Sequence, residues 1–184
     1  MGNTPAQNDL DILIRQLVSN ATGLDSSLVI PGNDNHPAPI VPYATTLEIT
    51  TIGNGVDAES TRVASGPTKA CAKFSGRRFV TYSVQFFKDG AADNAEALIS
   101  YPKTTPGQIF LNENNLTWNI ASDIRNLDGL DSGEEYETRR SVDITFAYMS
   151  RNEYELNNIA SVEIELTHSD GSEDITETIE VFDA

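Results

Sequence analysis

The segment Arg78–Phe87 constrains the fold more than any other, because apolar residues occupy both of its alternating sets of positions. One set contains Phe79 and Phe87, and the other contains Val80 and Tyr82. Alternation with a period of two is typical of a β-strand, and apolar residues in both sets are typical of a strand covered on both faces. The sequence therefore predicts a central strand in a buried sheet.

Other periodic segments supply the remaining elements. Apolar residues at helical spacing predict helices over Asp9–Asn20 and Ala91–Tyr101. Strand-like composition predicts a strand over Tyr43–Ile52, a short edge strand over Ile124–Leu130 and a long strand over Tyr136–Tyr148. The expected fold class is α+β, with a small, mostly antiparallel sheet flanked by two helices.

Two stretches between these elements have the composition of irregular chain. Residues 57–68 are polar and turn-rich, so we expect a mobile excursion after a strand that Gly53-Asn54-Gly55 ends. Pro102 and Pro106-Gly107 are expected to end the second helix, which leaves residues 108–120 irregular.

Acidic residues dominate the chain, and they are concentrated near its end. The sequence has 28 acidic and 12 basic residues, a formal charge of −16, and residues 128–184 carry 16 of the acidic but 3 of the basic ones. Apolar and acidic residues alternate in Glu163-Ile164-Glu165-Leu166, and Asp170-Gly171 is a strong hairpin turn. We therefore expect residues 151–184 to form an acidic β-hairpin that packs on, or extends, a domain of residues 1–150.

Composition and motifs exclude several functions. No apolar run is long enough to span a membrane, and the first residues lack a signal-peptide pattern. A pI near 4.3 disfavours binding of nucleic-acid phosphates. Cys71, His36 and His168 lie far apart in the sequence and match no metal-binding or nucleophile motif. We predict no catalytic residues, no metal ligands and no cofactor, and expect that the protein is not an enzyme.

Seven short segments are informative through their order and spacing. They are the helix that ends at Thr22-Gly23-Leu24, the step Val29-Ile30-Pro31, the loop with Asn33, Asn35, Pro37 and Pro39, the strand start Pro42-Tyr43-Ala44-Thr45, Val84-Gln85-Phe86-Phe87 with the helix after it, Ile124-Arg125-Asn126-Leu127, and Arg139–Tyr148. Together they cover about residues 8–150 and resemble the neck or tail terminator proteins of tailed bacteriophages.

The resemblance implies a structural protein of the virion neck, assembled in the host cytoplasm. Such proteins form a ring, commonly a hexamer, that caps the head-proximal end of the tail tube and joins it to the head-side connector. The implied partners are further copies of the chain, the tail tube protein, connector, stopper or collar proteins, and the sheath if the tail is contractile. DNA would pass through the ring without specific binding, and no membrane is involved.

A ring requires head-to-tail contacts between subunits, so two different surfaces of each copy must meet. We also expect an acidic lumen to repel DNA phosphates, and the exposed edge of the terminal hairpin to pair strands across subunits. The predicted subunit-interface residues are Asn35, Pro37, Pro39, Pro42, Tyr43, Trp118, Arg125 and Arg139. The predicted channel-facing or ring-facing residues are Glu163, Glu165, Glu177 and Glu180.

Two alternatives stay open at this point. A head-completion or stopper ring of the same neck would have similar requirements, because fold does not fix a protein's position in an assembly. A soluble acidic inhibitor that mimics DNA would also explain the charge, but it would be monomeric or dimeric and would bind a basic partner.

Overall fold

The computed structural model describes residues 7–33, 37–63, 69–130, 136–157, 163–169 and 174–180, and it confirms the expected α+β fold. These residues form three α-helices and ten strands. The helices are α1 (Gln7–Thr22), α2 (Ala91–Ser100) and α3 (Thr105–Glu113), and two short 3-10 helices span Ser26–Leu28 and Tyr101–Lys103. The strands are β1 (Val29–Pro31), β2 (Tyr43–Val63), β3 (Lys69–Phe87), β4 (Thr117–Ala121), β5 (Arg125–Asn126), β6 (Gly129–Leu130), β7 (Tyr136–Glu137), β8 (Arg139–Asn157), β9 (Glu163–Ser169) and β10 (Asp174–Glu180). No helix within these ranges is long and apolar enough to cross a membrane.

The main sheet has the strand order β1-β2-β3-β8-β4, with β5 also paired to β8, so β3 is central as the sequence predicted. The sheet is mixed, because β1 runs parallel to β2 with Val29 opposite Ala44. The strands β4 and β5 run antiparallel to β8. The contacts Tyr43–Phe87 and Asp57–Arg78 show that β2 and β3 are antiparallel. From the first contact to the second, residue numbers rise along β2 and fall along β3.

The chain forms two compact units, one of residues 1–57 and 76–151 and the other of residues 58–75 and 152–184. The second unit contains the expected C-terminal hairpin, in which β9 and β10 run antiparallel with Glu163 opposite Glu180. The turn predicted at Asp170-Gly171 lies outside the described residues. The grouping of residues 58–75 with the C-terminal region was not expected, and the predicted domain boundary at residue 150 stays a prediction.

The core of the first unit lies between the helices and one face of the sheet. From α1 it receives Leu10, Ile14, Leu17 and Val18, whose spacing places them on one helical face and which are all fully buried. β3 contributes Val80, Tyr82, Val84 and Phe86, and β8 contributes Val142, Ile144 and Phe146. These strand positions alternate, so they share one face of the sheet. On the other face Phe79 and Thr81 are only partly buried, which differs from the expected cover on both faces.

The third helix corrects the prediction that residues 108–120 are irregular. Thr104 caps α3 by accepting a hydrogen bond from the backbone N–H of Gly107 at 3.2 Å. Pro106 lies in the first turn, where a missing backbone N–H removes no intrahelical bond. The prolines that were expected to end one helix therefore separate it from a second, and β4 follows that second helix.

The excursion predicted for residues 57–68 is also corrected. β2 continues to Val63 and β3 begins at Lys69, while residues 64–68 lie outside the described ranges. Gly55 has a φ of +79°, which only glycine adopts without strain, but the strand continues past it. Composition misled the prediction because a polar segment joins a sheet readily when its backbone finds a paired strand.

Candidate subunit interface

The proline loop, residues 37–42, is held against one end of the main sheet. Lys88 Nζ donates a hydrogen bond to the carbonyl oxygen of Ile40 at 2.8 Å. Lys88 follows the end of β3 and has a φ of +69°, and its backbone N–H donates to the carbonyl of Thr138 at 2.8 Å. The loop is thus fixed by a side chain whose own backbone is anchored to the start of β8.

The loop exposes its apolar side chains instead of burying them. Ile40 is 93% exposed and Val41 is 50% exposed. The sequence from Pro37 to Pro42 contains no charged or hydrogen-bonding side chain. Of the predicted interface residues, Pro37 is exposed and Pro39 and Pro42 are partly buried, whereas Asn35 lies outside the described residues.

An aromatic stack lies directly behind the loop. The ring of Tyr43 is parallel to that of Phe87, with centroids 4.5 Å apart and an interplanar angle of 1°. The guanidinium of Arg139 lies 5.1 Å from the centroid of Phe87, and its Nε and Nη2 donate to Gln85 Oε1. Tyr43 is only 6% exposed, so in the isolated protein it supports the base of the loop. Its role in a subunit contact stays a prediction.

Two arginines on the paired strands β5 and β8 form ion pairs at this end of the sheet. Arg125 is half-exposed and donates to Asp143 Oδ2 at 2.5 Å. Arg140 pairs with the carboxylate of Asp128. The pKa of Asp128 is lowered, first by the backbone N–H of Arg139, which donates to its Oδ1 at 2.7 Å, and then by the Arg140 guanidinium. Each of these two arginines therefore has a carboxylate partner before any other molecule binds.

One carboxylate oxygen among these ion pairs accepts no hydrogen bond from the described residues. Asp143 Oδ1 is buried and, among the described residues, has no hydrogen-bond partner. Its neighbours on the same face include Ser141, which is buried and lies 3.5 Å from both the Arg125 guanidinium and the hydroxyl of Ser83. The Arg125–Asp143 pair is thus part of a small polar cluster on the sheet face opposite the core.

The structure brings most of the predicted interface residues to the same end of the sheet. The backbone N–H of Leu127 donates to the carbonyl of Arg139, and Arg125 lies opposite Ser141, so the two predicted arginines belong to one paired segment. The residues gathered at this end are Pro37, Pro39, Pro42, Tyr43, Arg125 and Arg139. We call this surface the loop end of the sheet.

Trp118 lies elsewhere. It is on β4 and packs edge-on against Phe146 in the core, with centroids 5.3 Å apart and an interplanar angle of 75°. Sequence reasoning missed Ile40, Lys88 and Asp143 as members of the loop end. The sequence signal for Ile40 is its place in a run from Pro37 to Pro42 that has no charged or hydrogen-bonding side chain.

The four predicted channel residues lie on β9 and β10 of the acidic hairpin. Glu163 lies opposite Glu180, and Glu165 lies opposite Thr178, whereas Glu177 lies opposite Leu166. That these residues face a channel or a neighbouring ring stays a prediction.

A concave region lies beside α1. It has a volume of about 220 Å³ and is lined by Asp11, Arg15, Pro31, Asn33, Thr46, Leu47 and Glu48. Tyr82 donates its hydroxyl proton to Asp11 Oδ1 at 2.6 Å, and Arg15 Nε donates to the carbonyl of Asp11 at 3.3 Å. Within the described ranges, no group of three or more His, Cys, Asp or Glu residues is arranged to hold a metal ion.

A family model described as phage neck terminator protein matches residues 8–172. The match includes the proline loop, the main sheet and β9 of the acidic hairpin, and it ends before β10. No curated protein matches the chain.

Proposed function

The chain belongs to the phage neck terminator protein family, and on that premise we propose that it forms a ring, a hexamer, at the head-proximal end of the tail tube. As a member of this family it is a structural protein of the virion neck that associates with other head and tail proteins. The ring stops growth of the tube and presents the surface that joins the head-side connector. The family match over residues 8–172 is the observation that carries this proposal.

The loop end of the sheet supports the proposal as one half of a subunit contact. A typical interface has apolar residues at its centre and a polar, arginine-containing rim. Ile40 and Val41 supply exposed apolar surface, and Arg125 and Arg140 at the same end of the sheet each have a carboxylate partner. A partner that covers this region therefore does not have to neutralise an isolated arginine.

The surplus of acid supports the passage of DNA through the ring. Residues 152–184 contain ten acidic residues and no basic one. A lumen of this charge repels phosphates and provides no sites at which counterion release would hold the DNA. We assign this role to the four predicted channel residues of the hairpin, Glu163, Glu165, Glu177 and Glu180.

Charge reversal tests the assignment to the lumen. Glu163, Glu165, Glu177 and Glu180 are changed together to lysine, and Asp9, Asp93, Glu96 and Glu113 are changed to lysine as a control with the same net charge. The first variant is expected to slow DNA release from the virion, whereas the control is not. Equal release from both variants and the wild type would contradict the role of the hairpin.

Copy number and position test the ring itself. Virions of the phage that encodes the chain are imaged by cryo-electron microscopy, and the density for this chain is counted and placed. A closed ring of six copies between tube and connector is expected. A closed ring on the head side of another ring would favour the stopper assignment, and a chain absent from virions that binds a basic partner would favour the DNA mimic.

A further inference from the structure

Lys88 has a backbone conformation that lysine rarely adopts. Its φ is +69°, in the left-handed region, where the Cβ atom of an L-residue lies too close to the carbonyl oxygen. The other described residues with a left-handed φ are of the two types that tolerate it best, glycine and asparagine: Gly23, Gly55, Gly90 and Asn115. Lys88 is therefore the exception within the described ranges, and its side chain has to explain why lysine occupies this position.

The turn between β3 and α2 imposes this conformation on whichever residue occupies position 88. The backbone N–H of Lys88 donates to the carbonyl of Thr138 at 2.8 Å, and its carbonyl accepts from the backbone N–H of Ala91 at 3.3 Å. Ala91 is the first residue of α2 and is 1% exposed. Because both backbone groups are bonded to neighbouring elements, lysine at this position costs stability that glycine or asparagine would not.

The ammonium group of Lys88 contacts the proline loop, but this contact does little to stabilise the single chain. Nζ donates to the carbonyl oxygen of Ile40 at 2.8 Å, and the bond is exposed to solvent. A carbonyl that water can reach needs no donor from the protein, so such a bond adds little net stability. The bond therefore fixes a conformation of the loop and does not satisfy a buried group.

The residue that Lys88 holds is the least restricted one in the loop. Proline fixes its own φ and restricts the residue before it to extended conformations. In residues 37–42, prolines occupy positions 37, 39 and 42, and Ala38 and Val41 each precede one. Ile40 is left as the residue that is neither a proline nor followed by one. Because the direction of its carbonyl depends on its own ψ, the hydrogen bond from Lys88 restrains the torsion that the prolines leave free.

We propose that Lys88 is a positioning residue for the subunit contact, in which it holds Ile40 and thereby presets the proline loop in the conformation that binds. This inference rests on the proposed function, in which the loop end of the sheet is one half of that contact. A loop that is fixed before it binds loses less conformational entropy on binding. The strain at Lys88 is therefore offset in the assembled ring and not in the single chain.

A role of Lys88 in the fold alone leads to a different expectation. If Lys88 supported the fold itself, replacing it would lower the stability of the unassembled chain, and assembly would decrease only as a consequence. If Lys88 positions the loop, its replacement by a residue that tolerates the left-handed φ decreases assembly while the stability of the unassembled chain is unchanged or increases. The two roles therefore differ in the sign of the change in stability.

Substitutions at position 88 of the full chain separate these roles. Lys88→Asn tolerates the left-handed φ but ends well short of the Nζ position, and Lys88→Met keeps the strain but lacks the ammonium group. Urea unfolding of the unassembled chain measures stability. For incorporation, each variant is produced together with the wild type, and mass spectrometry compares their peptides spanning position 88 in purified virions with those in the cell lysate. Asn115→Lys is the matched control for strain, since it places lysine at an exposed left-handed position.

Lys88→Asn is expected to unfold at the same urea concentration as the wild type or a higher one. Both variants at position 88 should be depleted in virions about two- to tenfold, as expected for loss of one hydrogen bond, and Asn115→Lys should lower the urea midpoint. Undepleted Lys88→Asn or Lys88→Met, a lower midpoint for Lys88→Asn, or an unchanged one for Asn115→Lys would overturn the inference. A ring in those virions would leave the proposed function intact, whereas wild-type virions that hold the chain without a ring would contradict the function itself.

Discussion

Arg78 and Asp57 form a two-point ion pair across β2 and β3, in the space where a side chain at position 76 would lie. Arg78 Nη1 donates to Asp57 Oδ1 at 2.7 Å and Nη2 donates to Oδ2 at 2.5 Å. A Cβ atom built on Gly76 would be 1.8 Å from Asp57 Oδ1 and 2.6 Å from Arg78 Nη1. Position 76 therefore has to be glycine because the ion pair occupies the space that a side chain would need, and not because of its backbone angles.

The first prediction concerns this close approach. Gly76→Ala should lower the free energy of unfolding by about 1–3 kcal/mol, because the methyl group displaces a paired side chain. Urea unfolding monitored by circular dichroism measures the loss. Gly129→Ala is the control, since the nearest atom to its new Cβ is 3.9 Å away. In the Asp57→Ala background the cost of Gly76→Ala should shrink, and equal costs in both backgrounds would contradict the steric explanation.

The second prediction concerns acid stability. The pKa of Asp57 is lowered by its hydrogen bonds from Arg78, and the pKa of Asp128 is lowered by the backbone N–H of Arg139 and then by Arg140. A carboxyl whose pKa is lower in the folded state stabilises the fold above its unfolded pKa of 3.8, and this contribution is lost as the pH falls through the folded value. Stability should therefore decrease below about pH 4.

Urea midpoints between pH 6 and about pH 2.5 measure this dependence. Asp57→Asn and Asp128→Asn should each flatten the decrease, because the substituted group no longer titrates. Asp93→Asn, at an exposed site on α2, provides the comparison. A decrease as steep in both variants as in the wild type would show that other carboxyls cause it.

The third prediction separates packing from docking at the loop end. Tyr43 is nearly buried and stacked on Phe87, so Tyr43→Ala should lower the free energy of unfolding by about 3–5 kcal/mol. Ile40→Ala should change it by less than about 0.5 kcal/mol, because the side chain is exposed. Thermal and urea unfolding of the unassembled chain measure both values. A large loss for Ile40→Ala would mean that this residue supports the fold.

The fourth prediction concerns the positioning of the loop. Lys88→Met removes the hydrogen bond to the Ile40 carbonyl and retains most of the side-chain length. Backbone ¹⁵N order parameters should fall at Ala38, Ile40 and Val41 relative to the wild type, while those of α1 stay as high as before. Unchanged order parameters in the loop would show that Lys88 does not hold it. Lys103→Met is the control, because that lysine is exposed at the end of the 3-10 helix after α2.

The fifth prediction concerns the start of α3. Thr104→Ala removes the hydroxyl that caps the helix and should cost about 1 kcal/mol of stability. Thr105→Ala, one residue further and exposed, should have little effect. Equal losses for the two variants in urea unfolding would contradict the capping role of Thr104.

Sequence periodicity predicted the elements that bury an apolar face. The central position of β3 and the core face of α1 follow from the spacing of their apolar residues, and the hairpin follows from alternation around Asp170-Gly171. The prediction failed where proline and glycine occur near helix ends. Pro106 was taken as a terminator, although proline is equally favourable in the first turn of a new helix.

The candidate site was predicted only in part, since its members come from distant parts of the chain. Prolines and Tyr43 drew attention to the loop, but nothing in the sequence shows that Lys88 reaches the carbonyl of Ile40. Nor does the sequence show that Asp143 pairs with Arg125, because the register of β5 on β8 sets that contact. Such contacts depend on strand order, which periodicity alone does not fix.

The most direct test of the central claim is a reconstruction of the neck in intact virions of the phage that encodes this chain. We predict a closed ring of six copies on the head-proximal end of the tail tube, with DNA or its path along the ring axis. A ring located elsewhere in the neck, or a chain present without ring symmetry, would contradict the account.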